Sequence, residues 1–140
     1  MPAAYDGKGG FLVLDMYDTI AKNFDQNVYT LPDASGSYKW LSTLGVAEIT
    51  ISATFKNDST ISVTVSNEEN KTIAFFNHIT LVDEVTKDRI LPVFCNNNYI
   101  SVFPRQVRKV EISFKPSKDK KLLVCIEGWN VRKQFIEPKK

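Results

Sequence analysis

One histidine and two cysteines are all that this chain of 140 residues offers to zinc or general-base chemistry. His78, Cys95 and Cys125 lack the spacing of a zinc site, so neither a metal nor another cofactor is expected. Two cysteines do not make a disulfide framework. A chain of this length buries about two-thirds of its unfolded surface and needs no such staple. Cys95 and Cys125 are read first as small buried apolar side chains, with a disulfide between them as the alternative that the sequence leaves open. Charge of one sign is also scarce. Lys plus Arg number 18 against 16 Asp plus Glu, a net charge of +2. So small an excess points to neither nucleic acid nor an anionic lipid surface as a partner. No apolar run approaches the roughly 20 residues of a membrane span. A phosphate loop, a Gly-x-Ser-x-Gly elbow and a dinucleotide fingerprint are all missing. Residues 1–10 have no basic region followed by an apolar one, so they are not a signal peptide. They read as a linker or a cut end. That leaves the compartment open, with a periplasmic or secreted parent as one option.

What the chain does have is period-two alternation. Phe11–Met16 is a short apolar run compatible with a buried strand. Tyr17–Tyr29 loses that character. Leu31–Ser37 is turn-rich and reads as a loop, and Tyr38, Leu41 and Leu44 allow at most one helical turn. Ala47, Ile49, Ile51, Ala53 and Phe55 then alternate with polar residues, as do Ile61, Val63 and Val65, with a polar turn at Lys56–Ser59 between. These two runs predict an antiparallel hairpin. Thr72–Val82 is the longest strand candidate. Ile73, Phe75, Asn77, Ile79 and Leu81 lie on one face, and Ala74, Phe76, His78, Thr80 and Val82 on the other. Both faces are partly apolar, as in a central strand. Val110–Phe114 and Leu122–Trp129 are further strands. Seven to eight short strands with no helix of ordinary length indicate an all-β, immunoglobulin-like antiparallel sandwich over residues 11–138.

The most irregular stretch is Arg89–Pro104. Ile90–Phe94 and Tyr99–Phe103 are apolar and flank Asn96-Asn97-Asn98. Pro92 cannot donate to a sheet ladder, so its run belongs at an edge. Asn tolerates left-handed backbone and folds its amide onto nearby main chain. The stretch therefore reads as an extended crossover near a sheet edge, with the asparagines fixing a reversal that returns Tyr99 to the core or to a domain interface. Tyr99 and at least one Asn side chain are expected to be hydrogen-bonded to backbone.

Candidate chemistry is thin elsewhere. Glu68-Glu69 and Asp83-Glu84 pair carboxylates, but in turns, where no cleft is expected to hold a sugar between them. A lone histidine with no nucleophile placed beside it reads as structural. Lys118–Lys121 reads as a soluble hairpin tip. Asn57-Asp-Ser and Asn70-Lys-Thr fit the N-glycosylation pattern, which turns satisfy by chance. Tyr29, Tyr38, Trp40, Tyr99 and Trp129 could supply a sugar-stacking platform. They are not grouped on one strand face, which favours packing instead.

Several motifs carry a family resemblance. Leu91-Pro-Val-Phe94, Asn98-Tyr99, Phe103-Pro104 and Gly128-Trp-Asn130 occur in order, with Asn27-Val-Tyr29 and Ile73–Asn77 upstream. On these residues the chain resembles the C-terminal immunoglobulin-like domain of family 2 glycoside hydrolases, in the branch of β-mannosidases, endo-β-mannosidases and exo-β-glucosaminidases. The likeness covers residues 11 to 137. Cys95 stands where an aromatic is usual, Asn97 where Asp is usual, and Arg105-Gln106 where Gly-Glu is usual. The resemblance implies a domain that is not itself the catalyst, whose partners are other domains of one polypeptide, including a catalytic barrel that carries the two glutamates. It marks Pro92, Asn97, Asn98, Tyr99, Trp129 and Asn130 as an inter-domain or structural motif, with no catalytic residue among them. The other readings are a carbohydrate-binding module and a cell-surface adhesion sandwich.

Overall fold

The computed structural model describes residues 5–20, 23–69 and 71–140. The chain divides into two compact units, Met1–Leu44 and Gly45–Lys140.

The first unit is a long hairpin. β1 (Lys8–Tyr17) pairs antiparallel with β2 (Asn23–Asp33). β1 begins inside the stretch read as a linker. β2 runs through residues expected to lose strand character and through Leu31-Pro32-Asp33, expected as loop. The sequence pattern misses β2 because its residues do not alternate apolar with polar, which is the signal that marks a half-buried strand. Leu12, Leu14 and Met16 are 42%, 52% and 51% exposed, so β1 is not the buried strand its composition suggests. The packing within this unit centres on Trp40. Its indole N–H donates to the Leu31 carbonyl at 3.0 Å, and Phe11 meets it edge-on at 5.2 Å. Gly9 makes room for that ring. Its φ is +85°, and a Cβ there would lie 2.2 Å from Trp40 Nε1. The single helical turn expected after the loop is a 3₁₀ turn at Lys39–Thr43.

The second unit is the sandwich. Its strands are β3 (Ile49–Asn57), β4 (Thr60–Asn67), β5 (Ala74–Asp83), β6 (Val93–Cys95), β7 (Ile100–Val102), β8 (Val107–Phe114), β9 (Leu122–Glu127) and β10 (Gln134–Ile136). One sheet has the order β3-β4-β8-β6 and the other β10-β9-β5-β7. Every named pair of strands is antiparallel. The expected β3–β4 hairpin pairs Ile51 with Val65 and Phe55 with Ile61. Alternation places Ile61, Val63 and Val65 of β4 and Val110 and Ile112 of β8 inward, where they meet Ile79, Leu81, Val124 and Ile126 of the facing sheet in one core. Fully burying a side chain of this size stabilises by about 1.5–3 kcal/mol. β5 is central, as expected, between β9 and β7.

The two faces assigned to β5 require a correction. Ala74, Asn77, Ile79 and Leu81 are buried together, whereas strict alternation separates Ala74 from the other three. The ladder to β7 shifts register between Ala74 and Asn77, and Phe76 has φ 55°. A β-bulge inserts one residue and flips the phase of what precedes it. Arg89–Pro104 crosses between the sheets. β6 is the edge of one and β7 the edge of the other. Asn96–Asn98 link them.

Candidate functional site

The bulge in β5 and the shortness of β7 leave this corner of the sheet without a continuous ladder. Backbone groups there must find other partners, since unpaired buried polar groups cost about 1–3 kcal/mol each. Asparagine side chains supply them. An amide carries both donors and an acceptor, so it can stand in for a missing peptide.

Asn98 does this on both sides of one residue. Its Nδ2 donates to the Ile79 carbonyl and its Oδ1 accepts from the Ile79 N–H, each at 2.8 Å. The same Oδ1 accepts from Tyr99 N at 2.8 Å. Asn130 Nδ2 donates to the carbonyls of Ile73 (2.7 Å) and Gly45 (2.8 Å), and its Oδ1 accepts from Phe75 N at 2.8 Å. Asn77 Nδ2 donates to Ala74 and Ile100 carbonyls, and Asn67 Nδ2 to those of Thr72 and Val102. Asn67, Asn77 and Asn130 are buried.

Gly128-Trp129-Asn130 closes over the same place. A Cβ on Gly128 would lie 2.5 Å from Asn77 Oδ1 and 2.9 Å from the Phe75 carbonyl, so only glycine fits. Trp129 N donates to the Phe75 carbonyl at 2.9 Å. The segments Ile73–Asn77, Asn98-Tyr99 and Gly128–Asn130, separate in sequence, therefore meet at one bulge.

The other marked residues play lesser parts. Asn97 Oδ1 caps the turn locally, accepting from Asn98 N at 2.9 Å. Asn96 instead reaches β8, accepting from Glu111 N at 2.8 Å. Pro92 is exposed, follows a cis peptide bond and precedes β6. Asn67 is not singled out by the sequence, and Asn77 enters only in the strand pattern and as the end of the Ile73–Asn77 motif. Their available signal is an amide interrupting an apolar strand pattern.

Tyr99 does not return to the core. It is 50% exposed, as is Phe76, and Trp129 is 58% exposed. The Tyr99 ring stacks on His78 at 4.7 Å with an interplanar angle of 7°, and also meets Phe76 at 5.0 Å. Phe76 in turn meets Phe75 at 5.7 Å. The rings make a column along the outer side of β5. Both Phe76 (φ 55°) and Tyr99 (φ 52°) have left-handed backbone. For bulky side chains this conformation costs on the order of 1–3 kcal/mol and persists only where the surroundings enforce it. Asn98 Oδ1 holds the Tyr99 N–H, and the Ser101 hydroxyl accepts from Phe76 N at 3.2 Å. Partial burial, and then the nearby Arg89 cation, hold the His78 pKa below its ordinary 6.5, with Glu127 opposing.

Glu68-Glu69 follow the end of β4, and Asp83-Glu84 span the end of β5 and the turn after it. Asp83 Oδ1 accepts from Val85 N and Thr86 N, which lowers its pKa, and Glu84 pairs with Lys121 at 2.9 Å. Cys95 and Cys125 are free thiols, and burial raises both pKa values. Among the described residues no three His, Cys, Asp or Glu side chains group as metal ligands. A cavity of about 650 Å³ lies between Phe55, Phe114, Leu122 and Pro138, and it includes neither His78 nor the asparagine cluster.

Comparison with known proteins gives a consistent result. Residues 27–131 match the model of the exo-β-D-glucosaminidase Ig-fold domain. An exo-β-D-glucosaminidase of Arthroderma benhamiae is 24% identical over 144 aligned residues, covering 90% of this chain and 16% of the fungal protein. The mannosylglycoprotein endo-β-mannosidase of Lilium longiflorum is 35% identical over 85 residues, 54% of this chain and 9% of the lily protein. The crystal structure of the Amycolatopsis orientalis exo-chitosanase superposes with a TM-score of 0.72 at 25% identity, over 86% of this chain and 17% of that one. The chain thus spans about a sixth of the length of the fungal and actinobacterial proteins it resembles.

Proposed function

Because the chain belongs to the exo-β-D-glucosaminidase Ig-fold domain family, we propose that it is the non-catalytic accessory sandwich of a family 2 glycoside hydrolase. The parent polypeptide hydrolyses β-linked glycosides, with a β-glucosaminide ahead of a β-mannoside as substrate. The family match over residues 27–131 carries this reading. That match begins inside β2, and the functional domain is read as spanning residues 11–138.

The physical role is rigid packing. A sandwich whose broken corner is stitched by buried amides presents a surface of fixed shape, and fixed shape is what neighbouring domains need from a support. Chemistry then belongs to a barrel elsewhere in the polypeptide.

The test is an assay of two proteins against nitrophenyl β-D-glucosaminide and nitrophenyl β-D-mannoside. The 140-residue chain should release no nitrophenol, and the full polypeptide carrying it should. Hydrolysis by the short chain, or a full gene product inactive on both, would overturn the reading. The exposed indole of Trp129 favours carbohydrate binding as a second reading. On that reading chito-oligosaccharide at millimolar concentration should shift Trp fluorescence.

A further inference from the structure

The column of Phe76, Tyr99 and His78 has a use that the accessory role alone does not assign. From it we infer an inter-domain contact surface on the outer side of β5, whose occupant is an apolar protein surface of the same polypeptide. The inference rests on the reading of this chain as one domain of a longer enzyme.

Three observations lead to it. Phe76 and Tyr99 are half exposed while their backbones are held in left-handed conformation. A fold that needed only a loop end there would place Gly or Asn at φ > 0, which carry no comparable penalty. Two large apolar rings are displayed instead. Secondly, the display is rigid. Asn98 fixes the segment that carries Tyr99 onto Ile79, while Asn130 and the Trp129 N–H fix Phe75 beside Phe76. Preorganised aromatics make strong contact sites because little side-chain freedom remains to be lost. Thirdly, the rings pack on one another, with Tyr99 parallel to His78 and tilted 35° to Phe76. Tyr99 packs against His78 and against Phe76, both within 5.0 Å. Sugar stacking needs an open ring face, and His78 already stacks on the ring of Tyr99, whereas protein side chains pack against aromatic rings in many orientations.

The occupant follows from length. Relatives covering nearly all of this chain are about six times as long, so the same polypeptide supplies most of the surface the column can meet. Partial burial, and then the nearby Arg89, hold the His78 pKa below its ordinary value against Glu127, which disfavours charge on the ring that Tyr99 stacks on.

Hydroxyl-radical footprinting of the 140-residue chain and of the full polypeptide tests this. Labelling of Phe76 and Tyr99 should fall about tenfold in the full polypeptide, as expected where a contact excludes water. Equal labelling of both residues in the two proteins would overturn the inference. So would protection of Tyr99 in the short chain by chito-oligosaccharide, which would assign the column to a sugar. Because hydrolysis is not read, an inactive full polypeptide sinks the proposed enzyme and leaves this test standing. An active one with unprotected rings sinks the contact surface alone.

Discussion

The hairpins β1–β2 and β3–β4 are paired by the same antiparallel ladder, yet only one of them is built into a core. β3 and β4 place Ala53, Ile61, Val63 and Val65 against a facing sheet, and all four are buried. β1 places Leu12, Leu14 and Met16 at half exposure. Pairing satisfies backbone groups in both cases. Burial needs a second layer, because a two-stranded ribbon has no interior of its own. What holds the first hairpin in shape is local: one indole, one ring edge and one glycine. What holds the second is distributed over two sheets.

The largest effect should come from truncating each hairpin in the same way. Ile61→Ala should cost about 2–5 kcal/mol in urea unfolding, the usual range for a buried branched side chain. Leu14→Ala should stay within about 0.5 kcal/mol, as surface changes do. Equal losses would break the comparison. Asn130→Ala comes next. It strips partners from Phe75 N and two carbonyls, and about 2–3 kcal/mol should be lost by the same measurement. A loss under half of that would mean water replaces the amide. Gly128→Ala forces a Cβ onto Asn77 Oδ1 and should cost about 1–3 kcal/mol, the range for overpacking. In the first unit, Gly9→Ala should displace Trp40 and red-shift its fluorescence while the sandwich's unfolding midpoint holds. A midpoint that moves with it would show the two units to be one cooperative block.

The smallest effect is on pH. The folded pKa of His78 lies below 6.5, so the unfolded chain binds the extra proton first. Stability should therefore be complete above pH 6.5 and decline slightly as pH falls below it. His78→Phe should flatten that decline and keep the ring stack. An NMR titration midpoint for His78 above 6.5 would reverse the sign.

Much of the sandwich is legible in the residues. Ile49–Phe55 and Ile61–Val65 announce strands because one face of each is buried, and burial is what selects for alternation. Pro92 announces an edge because it lacks an N–H. β2 is not legible, since Asn23–Asp33 does not alternate apolar with polar residues. The bulge at Phe76 is not legible either. Phe-Phe reads as two ordinary strand residues, and the phase change appears only when Ala74 and Asn77 pair with β7.

By itself the sequence determined the all-β class, the β3–β4 hairpin, the central place of β5 and the family likeness. Each of these follows from residue type and spacing along the chain. Tertiary structure alone decided that Asn67, Asn77, Asn98 and Asn130 share one task. It also decided that Tyr99 faces outward onto His78. An amide's partner is whichever backbone group the ladder leaves unpaired, and which group that is depends on strands distant in sequence. The same Asn-Tyr could cap a solvated turn in another fold. Here it replaces a missing strand, because β7 is too short to cover Ile79.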